Sequence, residues 1–255
     1  MEKKRKKLKY GNIIALIVIV LGIGFTIFSS IHIIKWYLAN KENSRIKESL
    51  QESIVVKKIE NPKNKEENKE EYQIDFKELK EKNNDTVGYV KVNNTSIDYV
   101  VVRGNDNEFY LKHNFEKNYN IAGWIFADYR NKLDGTDKNI VIFGHNTKDG
   151  SMFGTLKNVI SEEWYKNEEN HKVVLVTEKG TYYYQVFSTY STKPEEYYLN
   201  TKFKGDEFDK FVKELKSRSV YDYKVDVSKE DKILTLTSCL GDSSRRVVLH
   251  AKLIK

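Results

Sequence analysis

The first feature of the hydrophobic pattern is a run without charged residues from Tyr10 to Ile34. Its 25 residues form a helix of about 37 Å, enough to cross a hydrocarbon core of about 30 Å. A cleaved signal peptide has a shorter apolar region of about 7–15 residues. A helix on a protein core carries one apolar stripe, whereas this run is apolar on all sides. We therefore predict a transmembrane helix over residues 10–34.

The stretch that follows, residues 35–71, is rich in Lys and Glu and contains few large apolar residues. Ile46, Leu50 and Ile54 recur every four positions, which is typical of a thin amphipathic helix. The second half, NPKNKEENKEE over residues 61–71, indicates a solvated spacer because it lacks the apolar residues needed for a core. We predict a charged linker with a helical stalk that holds the next domain off the membrane.

From residue 72 onwards, short runs rich in Val, Ile, Tyr and Phe predict β-strands. Turn residues such as Asn93-Asn94 and Glu178-Lys179-Gly180 join several of them. Eight strands with tight connections indicate an antiparallel sandwich or barrel, and we assign residues 72–255 to one domain. The runs comprise residues 87–92, 96–102, 122–127, 139–144, 172–178, 181–189, 232–238 and 245–254.

Two helices are predicted within this domain. One, over residues 74–82, opens it, and the other lies near residues 206–216 behind Asp206, a candidate N-cap. The second helix belongs to a long insertion before the strand that ends near residue 238, and such insertions often carry binding sites. Its apolar positions follow the i, i+3, i+4, i+7 spacing: Phe208, Phe211, Val212 and Leu215.

The charge is concentrated at the N-terminus. The chain carries a net charge of +7, of which residues 1–9 supply +5. The remainder is nearly neutral and has no basic stripe, which excludes a nucleic-acid-binding protein. A basic tail beside a membrane span stays on the cytoplasmic side. We therefore predict a single-pass protein of the cell membrane with a cytoplasmic tail and an extracellular domain.

The chain has one cysteine, Cys239, which excludes an internal disulfide and a zinc site of the CxxC type. Strand alternation places Thr235, Thr237 and Cys239 on the face opposite Leu234 and Leu236. A free cysteine is often a small buried apolar residue, but this pattern directs it away from the core. We consider both a catalytic thiol and a structural cysteine.

A catalytic thiol needs a proton partner and a group that stabilises negative charge. His145 ends the strand NIVIFG and opens a polar loop, which is the position expected of a reactive base. Arg246 shares the polar face of the last strand, where a guanidinium can stabilise an oxyanion or bind substrate carbonyls; Arg245 remains an alternative. The other histidines are His32, His113, His171 and His250.

Three segments resemble those of sortases, and of class B in particular: TLTSC (235–239), NIVIFGHNTKDGSMF (139–153) and RVVLHAKLI (246–254). The resemblance extends over most of residues 74–255. It implies a mainly β fold, an eight-stranded sortase-type β-barrel with N-terminal helices. It also implies a helix in the insertion between the sixth and seventh strands, and a preceding transmembrane helix.

By this resemblance Cys239 is the nucleophile, His145 the general acid/base and Arg246 the oxyanion or substrate-binding arginine. Thr237 and Ser238, beside the cysteine, are expected to bind substrate. The sequence departs from the family pattern at Ser238, where a threonine is usual. The methyl group of that threonine, and any packing that depends on it, is therefore missing here.

The family implies that the substrate is a surface-protein precursor with a C-terminal sorting signal resembling NPxTG. The signal is cut after Thr through a thioester acyl-enzyme, and the acceptor is an amine of a peptidoglycan precursor or cross-bridge. No metal or organic cofactor is expected, and insertions 103–121 and 190–205 are expected to line the groove. Two alternatives remain: a pilin-polymerising sortase of another class, and a non-enzymatic membrane-tethered surface-binding module.

Overall fold

The computed structural model describes residues 10–59, 69–239 and 245–254. The predicted tail, residues 1–9, the larger part of the predicted spacer, residues 240–244 and residue 255 lie outside these ranges. Five residues are described by their backbone alone: Lys58, Ile59, Lys69, Glu70 and Cys239.

The apolar run lies in one continuous helix, α1 (Tyr10–Gln51), which extends well beyond the predicted membrane span. By length and composition, its apolar part suffices to cross a membrane. The last third of α1 packs against the rest of the chain and buries five residues there: Ala39, Asn40, Asn43, Ile46 and Leu50. The predicted linker therefore begins as a helix that is docked on the domain.

A small sheet and a short helix connect α1 to the barrel. Strands β1 (Ile54–Ile59) and β2 (Lys69–Ile74) pair antiparallel. Helix α2 (Phe76–Lys82) lies within the predicted span 74–82. It begins at Asp75, whose carboxylate accepts a hydrogen bond of 2.9 Å from the Glu78 N–H, a typical N-cap.

The other eight strands close into a barrel, which confirms the predicted fold. Its strand order is β10-β8-β7-β3-β4-β5-β6-β9, with residue ranges as follows: β3 (Thr86–Val92), β4 (Asp98–Val102), β5 (Phe126–Ala127), β6 (Asn139–His145), β7 (Lys172–Thr177), β8 (Gly180–Thr192), β9 (Ile233–Cys239) and β10 (Arg246–Leu253). A short helix, α3 (Glu162–Lys166), precedes β7.

Two pairings in this barrel are parallel, β4 with β5 and β6 with β9. The expectation of an antiparallel sandwich or barrel is therefore wrong for these two pairings. Alternation along a strand records which face each side chain takes but not the direction of the neighbouring strand. Parallel neighbouring strands need long connections. Here these connections contain many of the residues that surround the candidate site.

Strand β5 is shorter than the predicted strand over residues 122–127. Gly123 has a φ of 57°, in the left-handed region, which interrupts the extended backbone. The Trp124 N–H donates instead to the Tyr110 carbonyl oxygen at 2.9 Å. The segment before β5 is therefore a turn packed on a preceding loop.

Helix α4 (Glu207–Arg218) lies in the insertion between β8 and β9, the sixth and seventh barrel strands, as predicted. Asp206 occupies the N-cap position without a side-chain capping bond, and its carboxylate pairs with Lys210 Nζ at 3.0 Å. The helix packs on the outside of the barrel and forms a second apolar cluster: Phe187, Tyr190, Tyr198, Phe208, Phe211, Val212, Leu215, Ile233 and Val248.

This second cluster changes the environment of the polar face of β9. Thr235 and Thr237 are 0% and 1% exposed, although strand alternation predicts a polar, outward face. The Thr235 hydroxyl donates to Asn139 Oδ1 at 2.8 Å. Both faces of β9 are thus buried because α4 and the chain before it cover the side that points away from the barrel interior.

Candidate active site

The register of two parallel strands brings the two principal candidates together. Strands β6 and β9 pair from Asn139–Ile233 to His145–Cys239, so the predicted base and nucleophile are the last partners of the ladder. Neighbouring strands lie about 4.8 Å apart. Two residues remote in sequence therefore occupy adjacent positions at the same end of the barrel.

His145 is half-buried, and its ring orientation is set by a backbone carbonyl. Its Nε2 lies 2.7 Å from the Leu111 carbonyl oxygen. Since a carbonyl only accepts, Nε2 carries the hydrogen and Nδ1 is the basic nitrogen of the neutral ring. The arrangement suits a residue that takes up and returns a proton at one defined atom.

A glycine makes the close packing around His145 possible. A Cβ on Gly123 would lie 2.9 Å from both His145 Cδ2 and the Leu111 carbonyl oxygen, and it would overlap the Tyr110 carbonyl oxygen. The left-handed backbone at Gly123 also favours glycine. The imidazole ring therefore lies directly against the backbone of the turn before β5.

The two candidate arginines point to different surroundings. Arg245 is exposed, and its guanidinium donates to the Ser191 carbonyl oxygen at 2.8 Å and to the Ser191 hydroxyl at 3.0 Å. Arg246 is half-buried at the start of β10 and lines a groove with Thr237 and Ser238. This geometry favours Arg246, and its role remains a prediction.

That groove has a volume of about 370 Å³ and lies beside the ends of β6 and β9. Ligand sites commonly measure about 300–1,000 Å³. Part of its wall comes from residues 194–199, inside the insertion 190–205 that was expected to line it. The lining residues are Phe143, Pro194, Glu195, Glu196, Tyr198, Leu199, Thr237, Ser238 and Arg246.

Hydrogen bonds tie this wall to the neighbouring elements. Glu195 accepts from the Thr192 hydroxyl at 2.6 Å and from Arg218 Nη1 at 2.5 Å. These two interactions, the Thr192 bond foremost, hold the pKa of Glu195 below its usual range. The ionised carboxylate thus links the groove wall to α4.

Thr237 and Ser238 are buried at the bottom of the groove. The Ser238 hydroxyl accepts a hydrogen bond of 3.1 Å from the Val247 N–H, which joins the end of β9 to the start of β10. Thr237 Oγ1 donates to the Tyr198 hydroxyl at 3.4 Å. Both hydroxyls have structural partners, and their contact with substrate remains a prediction.

His250 occupies a very different environment from His145. It is completely buried, with Nδ1 at 2.9 Å from the Thr235 hydroxyl and Nε2 at 3.0 Å from the Tyr190 hydroxyl. Burial, with a smaller contribution from Arg218, lowers its pKa to about 3. It is therefore a neutral core histidine at physiological pH.

A larger cleft of about 790 Å³ lies near the starts of β6 and β9, at the opposite end of this strand pair. Lysine is the commonest residue in its lining, and none of the predicted site residues contributes to it. We place the candidate site at the smaller groove because the predicted site residues Thr237, Ser238 and Arg246 line it. The larger volume of the other cleft does not outweigh this. Within the described ranges, no three His, Cys, Asp or Glu residues are grouped in a way that could hold a metal ion.

Several participants could not be found from the sequence. The Leu111 carbonyl acts through its backbone, which carries no residue-specific signal. Gly123 falls inside a run that alternation assigns to a strand. Tyr198 and Glu195 could be placed only as parts of a long insertion. In each case the contact depends on how distant segments pack.

The chain matches known proteins over most of its length. Residues 90–254 match the sortase domain. Sortase B of Staphylococcus aureus (strain NCTC 8325 / PS 47) is 32% identical over 247 residues, covering 95% of either chain.

Solved structures agree with this match. A crystal structure of sortase B from B. anthracis in complex with AAEK1 has a TM-score of 0.74 and 31% identity, covering 86% of this chain and 99% of that one. A Staphylococcus aureus sortase B–substrate complex has a TM-score of 0.67 and 34% identity, covering 71% of this chain and 84% of that one. The chain therefore belongs to the sortase family, within class B, and is a cysteine transpeptidase.

Proposed function

We propose that this sortase is anchored in the cell membrane and cleaves an NPxTG-like sorting signal after its Thr. It then transfers the protein to an amine of a peptidoglycan precursor or cross-bridge. The observation that carries the proposal is the pairing of His145 with Cys239 at the ends of parallel strands, beside the groove that Arg246 lines.

In the first half of the reaction, the Cys239 thiolate attacks the Thr carbonyl carbon. Arg246 stabilises the negative charge that develops on the carbonyl oxygen. The C–N bond breaks, His145 donates a proton to the leaving amine, and a thioester remains. Proton donation from a single ring nitrogen agrees with the fixed orientation of the imidazole on the Leu111 carbonyl.

In the second half, an acceptor amine attacks the thioester carbon. A new C–N bond forms, the C–S bond breaks, and His145 takes the proton that the amine loses. Water is the competing nucleophile, so a site that is partly shielded favours transfer over hydrolysis. Aromatic side chains of Phe143 and Tyr198 in the groove provide such shielding once a peptide is bound.

The volume of the groove and its lining, which includes an arginine and two hydroxyl side chains, support the binding of a peptide. The Staphylococcus aureus relative has been solved as a substrate complex, which supports peptide binding at the corresponding surface. The apolar part of α1 supports membrane anchoring, and the basic tail supports a cytoplasmic N-terminus. The domain after α1 would then act outside the cell.

The test is intact-mass spectrometry of the full chain in detergent micelles with a pool of NPxTG-like peptides. We expect a covalent adduct with the mass of the peptide up to its Thr, released by an added peptide amine. The Cys239→Ala variant is the control and should form no adduct. Cleavage by Cys239→Ala, or no adduct with any peptide in the pool, would contradict the proposal.

The two arginines offer a matched pair in the same experiment. Arg246→Ala should slow adduct formation by about 10²–10³-fold, as the loss of an oxyanion-stabilising group does elsewhere. Arg245→Ala removes an exposed arginine bonded to Ser191 and should leave the rate within about threefold of the original chain. The reverse result would assign the role to Arg245.

A further inference from the structure

The helix that carries the membrane segment reaches the catalytic end of the barrel through two buried asparagines. Asn43 on α1 and Asn120 in the loop before β5 are each 2% exposed. Asn120 Nδ2 donates to Asn43 Oδ1 at 3.1 Å and to the Ala39 carbonyl oxygen at 3.0 Å. The Asn120 side chain therefore binds both a side chain and a backbone carbonyl of α1.

The same two residues hold the backbone of Gly123. Asn43 Nδ2 donates to the Gly123 carbonyl oxygen at 3.0 Å. The Gly123 N–H donates to the Asn120 carbonyl oxygen at 3.0 Å. Both polar backbone groups of this glycine are therefore bonded to the asparagine pair.

The other side of Gly123 faces His145. A Cβ at Gly123 would lie 2.9 Å from His145 Cδ2 and equally close to the carbonyl oxygen of Leu111. That carbonyl accepts the hydrogen bond from His145 Nε2. The backbone of Gly123 is thus bonded to the asparagine pair and lies against the imidazole ring.

Burial distinguishes this polar contact from the others that α1 makes with the domain, since the bonds of Lys47 to the Ser96 carbonyl oxygen and of Gln51 to Asp98 are only partly buried. Further along α1, Ile46 and Leu50 are buried in the main hydrophobic core, and such apolar burial can hold the helix without any precise geometry. Buried amides are unfavourable unless their hydrogen bonds are made, and those bonds then define one arrangement. The asparagines therefore attach α1 to the turn before β5 and also fix the position of one relative to the other.

We propose that Asn43 and Asn120 are positioning residues for His145, which makes the membrane-anchoring helix part of the active-site scaffold. The proposal rests on the proposed role of His145 as general acid/base. Without the Asn43 donor, the Gly123 backbone relaxes, and the imidazole loses its fixed placement beside Cys239. Substrate binding is much less affected, because the groove is formed by other segments.

The test compares Asn43→Ala and Asn43→Asp in the full chain in detergent micelles. Aspartate has nearly the same shape but, when ionised, cannot donate to the Gly123 carbonyl. The control is Arg45→Ala on the same helix, which removes an exposed ion pair of 3.3 Å with Glu116. The measurements are kcat and KM for an NPxTG-like peptide, and the pH profile of Cys239 alkylation by iodoacetamide.

Both Asn43 variants should lower kcat by about tenfold to hundredfold, as expected for a misplaced catalytic group, with KM within about twofold. Their alkylation profiles should move towards that of His145→Ala, because Cys239 is the only cysteine and its thiolate depends on the histidine. Arg45→Ala should match the original chain in all three measurements.

Asn43 variants with unchanged kcat and an unchanged alkylation profile would overturn the proposal. An equal loss in Arg45→Ala, or a rise in KM with unchanged kcat, would also overturn it, since either indicates general damage or altered binding. The alkylation profile needs no peptide. It therefore tests the positioning role even if the proposed sorting signal is wrong.

Discussion

Two histidines in the barrel show how environment separates residues of the same type. His145 is half-buried at the end of β6, with its Nε2 on a backbone carbonyl. His250 is enclosed in β10, with both ring nitrogens at hydroxyl groups. The first can exchange a proton with a reacting group, whereas the second can gain a proton only at the expense of the fold.

This difference predicts a pH dependence of stability. Burial lowers the pKa of folded His250 to about 3, while an unfolded histidine titrates near 6.5. As the pH falls below about 6.5, the unfolded chain binds a proton that the folded chain does not. The free energy of unfolding should therefore decrease towards pH 3, with a contribution of up to about 1.4 kcal/mol per pH unit. Above pH 7 this contribution is constant.

Chemical denaturation of the full chain at several pH values, followed by tryptophan fluorescence, measures this effect. The His250→Gln variant keeps a neutral hydrogen-bonding side chain, so its stability should fall less steeply between pH 6.5 and 4. The His113→Gln variant changes a half-buried histidine outside the barrel strands and serves as the control. Equal slopes for the original chain and His250→Gln would contradict the assignment.

At the scale of elements, the insertion between β8 and β9 connects stability with the groove. The apolar face of α4 was predictable from its spacing, and Phe208, Phe211, Val212 and Leu215 are all buried. Its packing partner was not predictable, because the polar residues on β9 suggested a solvent-facing side. The structure shows that α4 and the 194–199 segment cover this side, and that the 194–199 segment forms one wall of the groove.

We expect Phe211→Ala to lower the free energy of unfolding by about 3–5 kcal/mol, because it removes a ring that is buried to within 2% of its surface. It should also raise KM, since Phe211 packs against Tyr197, next to the groove residue Tyr198, at a centroid distance of 5.5 Å. Lys213→Ala, at an exposed position of the same helix, should change neither quantity. Denaturant titration and peptide kinetics give both values, and an unchanged stability would argue against this packing.

For the whole molecule, α1 is both the candidate anchor and a structural part of the domain. It runs without interruption from Tyr10 to Gln51, so the apolar segment and the part that packs against the domain near His145 lie on one helix. From Ile34 to Asn43 the helix rises about 13 Å. A membrane-embedded α1 would therefore hold the catalytic end of the barrel close to the bilayer surface.

The predicted orientation can be tested with the single cysteine. In right-side-out membrane vesicles, a membrane-impermeant maleimide should label Cys239 of the original chain. A Lys7→Cys, Cys239→Ala variant carries its only thiol in the basic tail and should be labelled only after detergent is added. Labelling of the tail in intact vesicles would reverse the proposed topology.

The sequence by itself determined the apolar helix, the main strands, the helix in the insertion and the family. Each of these depends on local periodicity or on short motifs, which act through neighbouring positions along the chain. The motifs TLTSC and NIVIFGH also singled out Cys239 and His145.

Only the tertiary structure decided the rest. It made β6 and β9 parallel and placed Cys239 in register with His145. It covered the polar face of β9, and it placed Arg246 in the groove while Arg245 bonds to Ser191. It also joined Asn43 to Gly123 across 80 positions. Such contacts depend on strand direction, backbone carbonyls and the meeting of distant segments, and hydrophobic alternation encodes none of these.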